Sequence, residues 1–258
     1  MRTPDLPDAA ARALASVAGR AEPGPTLRGT ARVVLHFHPD ADVLGRPVLR
    51  EILSNGRYVS QFVTRTGNGG LTAFPGGDRW AWEHRTFSGA YDDVPPDVRP
   101  VYGALDPDGD PYGAAPRFGS ASLRLRPGVV ARSTFVFPDS VHEPTSFGVA
   151  DRMGVLRDLE RAEVLDPLDH DVEAHAHGGI RVPEDVEAVV VDPSFDDEAA
   201  LALAGGAGLP VATHPGYAAT ADEIGAHPDY RGPQVAALAR RLVGPGPPDT
   251  RRPGRGPG

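Results

Sequence analysis

The run Asp171-Val-Glu-Ala-His-Ala-His177 limits what this chain can become more than any other segment. Its polar and apolar residues alternate strictly, the period of an extended strand and not of a helix. One face then carries Asp171, Glu173, His175 and His177, and the other Val172, Ala174 and Ala176. The small residues suit close packing against a second layer. Four titratable groups in a row mark either a solvated sheet face or a place where chemistry is done. The run His36-Phe-His-Pro-Asp40 has a similar pattern: His36 and His38 share a face, Leu35 and Phe37 point to a core, and Pro39 ends the strand.

Around these two strands the chain reads as mixed α+β. Helical periodicity runs over residues 5–19, 48–53, 150–160, 198–203 and 234–242. Strand patterns fall at 31–38, 58–64, 120–125, 131–137, 186–192 and 209–214. Strands separated by loops and not by regular helices argue against a doubly wound parallel sheet. From Thr66 to Gly119 the sequence turns rich in Gly, Pro, Asp and aromatics and reads as long functional loops. The expected organisation is an N-terminal helix and linker over 1–29, one domain over 30–243, and a disordered Pro/Gly/Arg tail over 244–258.

Composition removes whole classes of mechanism. The chain has no cysteine, and all of its basic side chains are Arg. A thiol nucleophile, a thiolate zinc site, a lysine Schiff base and a P-loop lysine are therefore absent. Ser133, Ser140 and Ser194 lack the Gly-x-Ser-x-Gly setting of a serine hydrolase. A formal charge of −9 argues against a nucleic-acid partner. No apolar run reaches the length of a membrane span, so the expected location is cytoplasmic, with secretion as an effector left open.

The remaining candidates are His, carboxylate and Arg side chains. His36, His38, His175 and His177, with Asp40 or Asp171 and His214 in reserve, have the chemistry of a metal-dependent hydrolase. The stretch Gly67–Glu83 joins paired glycines to two Trp, with Asp78, Arg79 and Glu83 among them, and suits a nucleotide cradle as well as a rigid surface loop. If that loop holds a nucleotide and the polar strands only frame it, the protein is a non-catalytic nucleotide-binding module. Arg117 could pair with an anionic ligand.

The runs Tyr-Val-Ser-Gln-Phe, Asn-Gly-Gly-Leu-Thr-Ala-Phe-Pro-Gly-Gly-Asp-Arg-Trp, Tyr-Gly-Ala-Leu, Ala-Pro-Arg-Phe-Gly-Ser and Glu-Ala-His-Ala-His-Gly resemble an uncharacterised bacterial domain family, across roughly residues 30–243. More distantly, the order of pieces is similar to the ADP-ribosyltransferase superfamily: a His-bearing strand, a short helix ending Ile52-Leu-Ser-Asn-Gly56, the segment Tyr58–Thr66, and a later strand with a Glu. That resemblance implies mostly antiparallel strands around a ligand cleft with peripheral helices. It also implies cleavage of the nicotinamide–ribose bond of NAD as substrate, with no metal, and transfer of ADP-ribose to an acceptor, a protein ahead of nucleic acid. Glu173 and Asp171 would be catalytic. His36 or His38 would donate to the ligand. Tyr58, Ser60, Thr64, Thr66, Asn68, Gly69, Gly70, Arg79, Trp80 and Arg117 would bind it.

Overall fold

The computed structural model describes residues 6–43, 45–65, 71–163, 170–218, 220–226 and 233–243. The expected ligand contacts Thr66, Asn68, Gly69 and Gly70, and the tail 244–258, lie outside the described residues. The chain divides into two compact units, 1–215 and 216–258.

The first unit has helices α1 (Asp8–Ala18), α2 (Val48–Asn55), α3 (Gln61–Thr64), α4 (Asp78–Thr86), α5 (Pro127–Val130), α6 (Val155–Arg161) and α7 (Glu198–Gly206). Its strands are β1 (Arg32–Phe37), β2 (Asp42–Val43), β3 (Arg46–Pro47), β4 (Arg57–Tyr58), β5 (Val101–Asp106), β6 (Ala121–Leu125), β7 (Ser133–Phe137), β8 (Ser146–Val149), β9 (Val172–Ala176), β10 (Ile180–Arg181), β11 (Val186–Val191) and β12 (Val211–Thr213). The second unit holds α8 (Ala221–Ala226) packed on α9 (Pro233–Val243), with Ala236 and Ala239 buried one helical turn apart. No described helix is long and apolar enough to cross a membrane.

Eight strands form one sheet in the order β12-β11-β6-β1-β5-β9-β7-β8, antiparallel throughout except for the β11–β12 pair. β2 pairs with β3, and β4 with β10. The fold is therefore mixed α+β with a mostly antiparallel sheet. Both faces are covered. Val33, Leu35 and Phe37 of β1, Val172, Ala174 and Ala176 of β9, and Phe135 and Phe137 of β7 join one core with α2, α6 and α7 residues. On the other face Val136 and Val149 meet α1 and the α4 region in a second core of Ala13, Val17, Trp82, Phe87 and Tyr91. Alternation along β9 thus sends its small residues into the first core, and it turns Glu173, His175 and His177 toward the second layer.

The sequence patterns miss the segment between 58 and 106. The expected strand 58–64 is the two-residue β4 followed by a helical turn, because Ser60 begins α3 and its hydroxyl donates to the Pro96 carbonyl at 2.5 Å. The expected long loop holds α4 and the central strand β5. α4 follows a tight turn in which the Asp78 amide donates to Thr72 Oγ1 at 3.0 Å. A Cβ on Gly77 would stand 2.7 Å from the Thr72 carbonyl oxygen, so only glycine fits there. β5 carries Gly103 because a Cβ would lie 2.5 Å from the Val34 carbonyl oxygen of β1.

β1 pairs with β5 only over Arg32–Val34, and beyond that point with β6 over Val34–Phe37. The cavity described below is lined from β1 and β5 where their ladder stops. Gly119, at φ +154°, lies so close to β1 that a Cβ would fall 2.0 Å from the Phe37 carbonyl carbon. Gly119→Ala is expected to cost about 2 kcal/mol or more, from the left-handed backbone and the collision together. Denaturant titration of the variant beside the parent protein measures it.

Candidate functional site

A cavity of about 250 Å³ opens on the second face of the sheet. Val34 and His36 of β1, Tyr102 and Ala104 of β5, and Asp171 and Glu173 at β9 line it; Tyr58, Gln61, Arg79, Arg117 and the turn Asp139–His142 complete the walls. The sequence-predicted residues His36, Tyr58, Arg79, Arg117, Asp171 and Glu173 are brought together there.

Glu173 sits opposite Ala104 of β5 and Val136 of β7. Each carboxylate oxygen has a partner. Ser140 Oγ donates to Oε2 at 2.9 Å, and His175 Nε2 lies 2.8 Å from Oε1. Arg79 Nη1 stands 4.0 Å from Oε1 and donates to Ser140 Oγ at 2.5 Å. Burial by itself would raise the pKa of Glu173, but the His175 hydrogen bond and charge, the Arg79 charge and the Ser140 hydrogen bond outweigh it and hold the carboxyl below its ordinary value. Glu173 is therefore an ionised carboxylate inside the protein.

Asp171, two residues earlier, has the opposite setting. Burial, and then the like charges of Asp139 and Glu173, push it up to about 7, with Arg117 opposing. At neutral pH it exchanges a proton readily while Glu173 stays charged. Environments that separate two carboxyls in this way define an acid–base pair.

Arg79 comes from α4, with its guanidinium over the Tyr102 ring at 4.1 Å. Burial lowers its proton affinity, and Tyr102, Glu173 and Glu83 more than restore it. Beneath it the buried Glu83 accepts from Tyr102 Oη at 2.9 Å and from Arg99 Nη1. Burial pushes Glu83 up to about 7 in spite of Arg99. Burial likewise raises Tyr58 to about 12, so its phenol stays protonated.

His36 Nδ1 lies 3.1 Å from the Gly119 carbonyl, so it carries the proton and donates it there. Burial, ahead of the opposing Gly119 bond, lowers the imidazole to about 4 and keeps it neutral at physiological pH. Its Nε2 is then a lone-pair acceptor, not the donor expected from the sequence. Gly113, at φ +76°, lies against that nitrogen: a Cβ would stand 2.5 Å away. Four buried side-chain polar atoms lack a partner among the described residues: His36 Nε2, Gln61 Oε1, Arg79 Nε and Asp106 Oδ2. Three of them belong to residues lining the cavity. Buried polar atoms left unpaired cost about 1–3 kcal/mol each, and a polar ligand offering donors to His36 and Gln61 and an acceptor to Arg79 would remove that cost.

Other sequence-predicted residues lie elsewhere. His38 is exposed past the end of β1. Ser60 is buried on Pro96, and Thr64 does not line the cavity. Trp80 stacks on His84 with centroids 5.4 Å apart, while its neighbour Trp82 is buried against His175. The four-histidine metal set does not converge. His175 and His177 are buried with both nitrogens of each ring engaged by Glu173, Thr134 and Tyr91. Among the described residues no three His, Asp or Glu side chains are placed to share a metal ion. His214 Nε2 lies 2.9 Å from the Ser120 carbonyl. Sequence reasoning missed Tyr102, Gln61 and Asp139, and it weighed Ser140 only as a nucleophile. Tyr102 carried little signal, because Gly103 interrupts the alternation of the run Val101-Tyr-Gly-Ala-Leu105.

The Asp171 setting can be tested without a substrate. Its folded-state proton affinity is raised, so it favours folding at low pH, and that contribution is lost as pH rises from about 4 through about 7. Asp171→Asn is expected to stabilise the protein at pH ~8, by on the order of 1 kcal/mol, and to leave it nearly unchanged at pH ~4. Thermal unfolding at both pH values measures the difference.

No curated protein matches this chain. A family described as "Protein of unknown function (DUF3626)" matches residues 32–159 and 152–254, which together take in the cavity and both carboxylates, and the chain belongs to that family.

Proposed function

We propose that this protein is an NAD-dependent ADP-ribosyltransferase, with Glu173 as the charge-stabilising carboxylate and Asp171 as the base that accepts the proton of the incoming nucleophile. The observation that carries the reading is the ionised Glu173 carboxylate in a polar cavity, held by His175, Ser140 and Arg79. As the nicotinamide–ribose bond breaks, its electron pair goes to the ring nitrogen and positive charge develops on the ribose. A fixed anion beside the ribose stabilises that charge, and being pre-positioned it needs no reorganisation. Nicotinamide leaves as a neutral molecule and takes no proton.

The acceptor's nucleophilic atom then bonds to the ribose carbon and gives its proton to Asp171, whose setting near neutrality suits a general base. His36 Nε2 and Gln61 Oε1 would accept from ribose hydroxyls, and Arg79 and Arg117 would supply cations for the pyrophosphate. The Tyr58 and Tyr102 rings would flank the base. The acceptor is a nucleophile of another molecule, or water.

Release of nicotinamide from NAD by the purified protein, followed by chromatography, tests the reading. Glu173→Gln keeps the shape and removes the charge, and it is expected to lower the rate at least about 100-fold. The rate should rise with pH through about 7, and this limb should vanish in Asp171→Asn. No nicotinamide release by the parent protein, or release undiminished in Glu173→Gln, sinks the assignment.

A further inference from the structure

Behind Glu173 a line of hydrogen bonds crosses from the cavity into the second core. His175 Nε2 meets Glu173 Oε1 at 2.8 Å, and His175 Nδ1 meets Thr134 Oγ1 at 3.0 Å. The same Thr134 oxygen meets His177 Nε2 at 3.0 Å, and His177 Nδ1 meets the Tyr91 hydroxyl at 2.7 Å. Thr134 faces His175 directly across the β7–β9 ladder, which places its hydroxyl beside both rings. All four side chains are buried. Trp82, Phe87 and Tyr102 close around His175, with centroids 4.9–5.6 Å away.

Proton bookkeeping gives the line a direction. An ionised Glu173 can only accept, so His175 carries its proton on Nε2. If His175 is neutral, its Nδ1 is a lone pair, and the Thr134 hydroxyl must donate to it. The Thr134 oxygen then accepts from His177 Nε2–H, which leaves His177 Nδ1 to accept from Tyr91. Every proton in this arrangement has an acceptor. The reverse direction needs a second proton on His175, a cation among aromatic rings, and it takes the Tyr91 proton away from His177.

We propose that Tyr91, His177, Thr134 and His175 are positioning residues for Glu173: a one-way hydrogen-bond chain that fixes the carboxylate's rotamer and presents it to the cavity as an unprotonated anion. Its consequence for turnover rests on the ADP-ribosyl-transfer reading; the order of its protons does not. Aligned bonds in a low-dielectric interior polarise one another, so a break at one link is felt at Glu173. The other groups facing Glu173 are Arg79 of α4, Ser140 of the 139–142 turn, Tyr102 of β5, and Asp171 of its own strand. None of them lies on the chain.

Nitrogen-15 NMR of histidine-labelled protein reads the tautomers directly, and carbon-13 labelling of Glu reads the Glu173 carboxyl. Both rings are expected to carry their proton on Nε2 with a bare Nδ1, unchanged between about pH 6 and 8. Thr134→Val removes the hydroxyl at constant shape; it should shift His175 Nδ1 and His177 Nε2 and move the Glu173 titration upward, and Thr134→Ser should restore both. A wild-type ring protonated on Nδ1, or a folded Thr134→Val protein with an unchanged Glu173 titration, overturns the proposal. Should Thr134→Val fail to fold, Tyr91→Phe decides: a displaced His177 Nδ1 signal supports the chain, and an unmoved one overturns it. Wild-type protein with these tautomers but no nicotinamide release supports the chain and overturns the reaction.

Discussion

A carboxylate largely withdrawn from water on the face of a β-sheet is the condition to which the rest of this molecule answers. Taking such a charge out of water costs several kcal/mol unless hydrogen bonds and an opposite charge replace the lost hydration. At Glu173 the replacements come from three places: α4, the 139–142 turn and its own strand. Arg79 requires α4 to begin at Asp78, which in turn requires Gly77 and the Thr72 brace. Ser140 requires the turn that Asp139 caps by accepting from the Val141 amide at 2.9 Å. His175 requires Thr134 on the neighbouring strand. Removing any one of them leaves a buried group unpaired, so the loops around the cavity are fixed by electrostatics as much as by apolar packing.

The sheet makes room for this arrangement. Its second face is filled by α1 and by the aromatic residues of α4 and the turn after it, over β5, β9, β7 and β8. Where the β1–β5 ladder ends at Val34, the strands no longer share bonds, and polar side chains from both line an opening. Gly103 and Gly113 each stand where a methyl group would strike a β1 residue, Val34 and His36 respectively. The cavity thus sits where strand pairing between β1 and β5 ends.

Much of this was legible in the sequence, and the exceptions have physical causes. The period-2 pattern of Asp171–His177 identified the strand and its two faces, because alternation is a local property. The pattern could not tell a solvated face from one buried under a second layer, since that depends on α1 and α4 arriving from elsewhere in the chain. His36 and His38 looked equivalent by spacing, yet Pro39 ends β1 and leaves His38 in solvent while His36 is roofed by Gly113. β5 was hidden because Gly103 interrupts its alternation, although that glycine is what lets it approach β1. Ser140 carried no signal at all: its partner Glu173 is distant in sequence, and a serine in a Pro-flanked turn reads as an ordinary loop residue.

Asp171 and Glu173 are two residues apart on one strand, and their separation in acidity comes wholly from what surrounds them. Glu173 is surrounded by donors and a cation, and its charge is the stable state. Asp171 faces Asp139 and Glu173 itself, so ionising it adds a third negative charge to the same space, with Arg117 only partly offsetting this. Positive charge between the two carboxyls offsets their mutual repulsion and favours the ionised form of Asp171, which is the form able to accept a proton. A cationic transition state would do that, drawing on Glu173 for stabilisation while freeing Asp171 to take a proton from the attacking group. The same geometry would be poorly suited to a reaction that builds negative charge in the cavity, because both carboxyls would then oppose it.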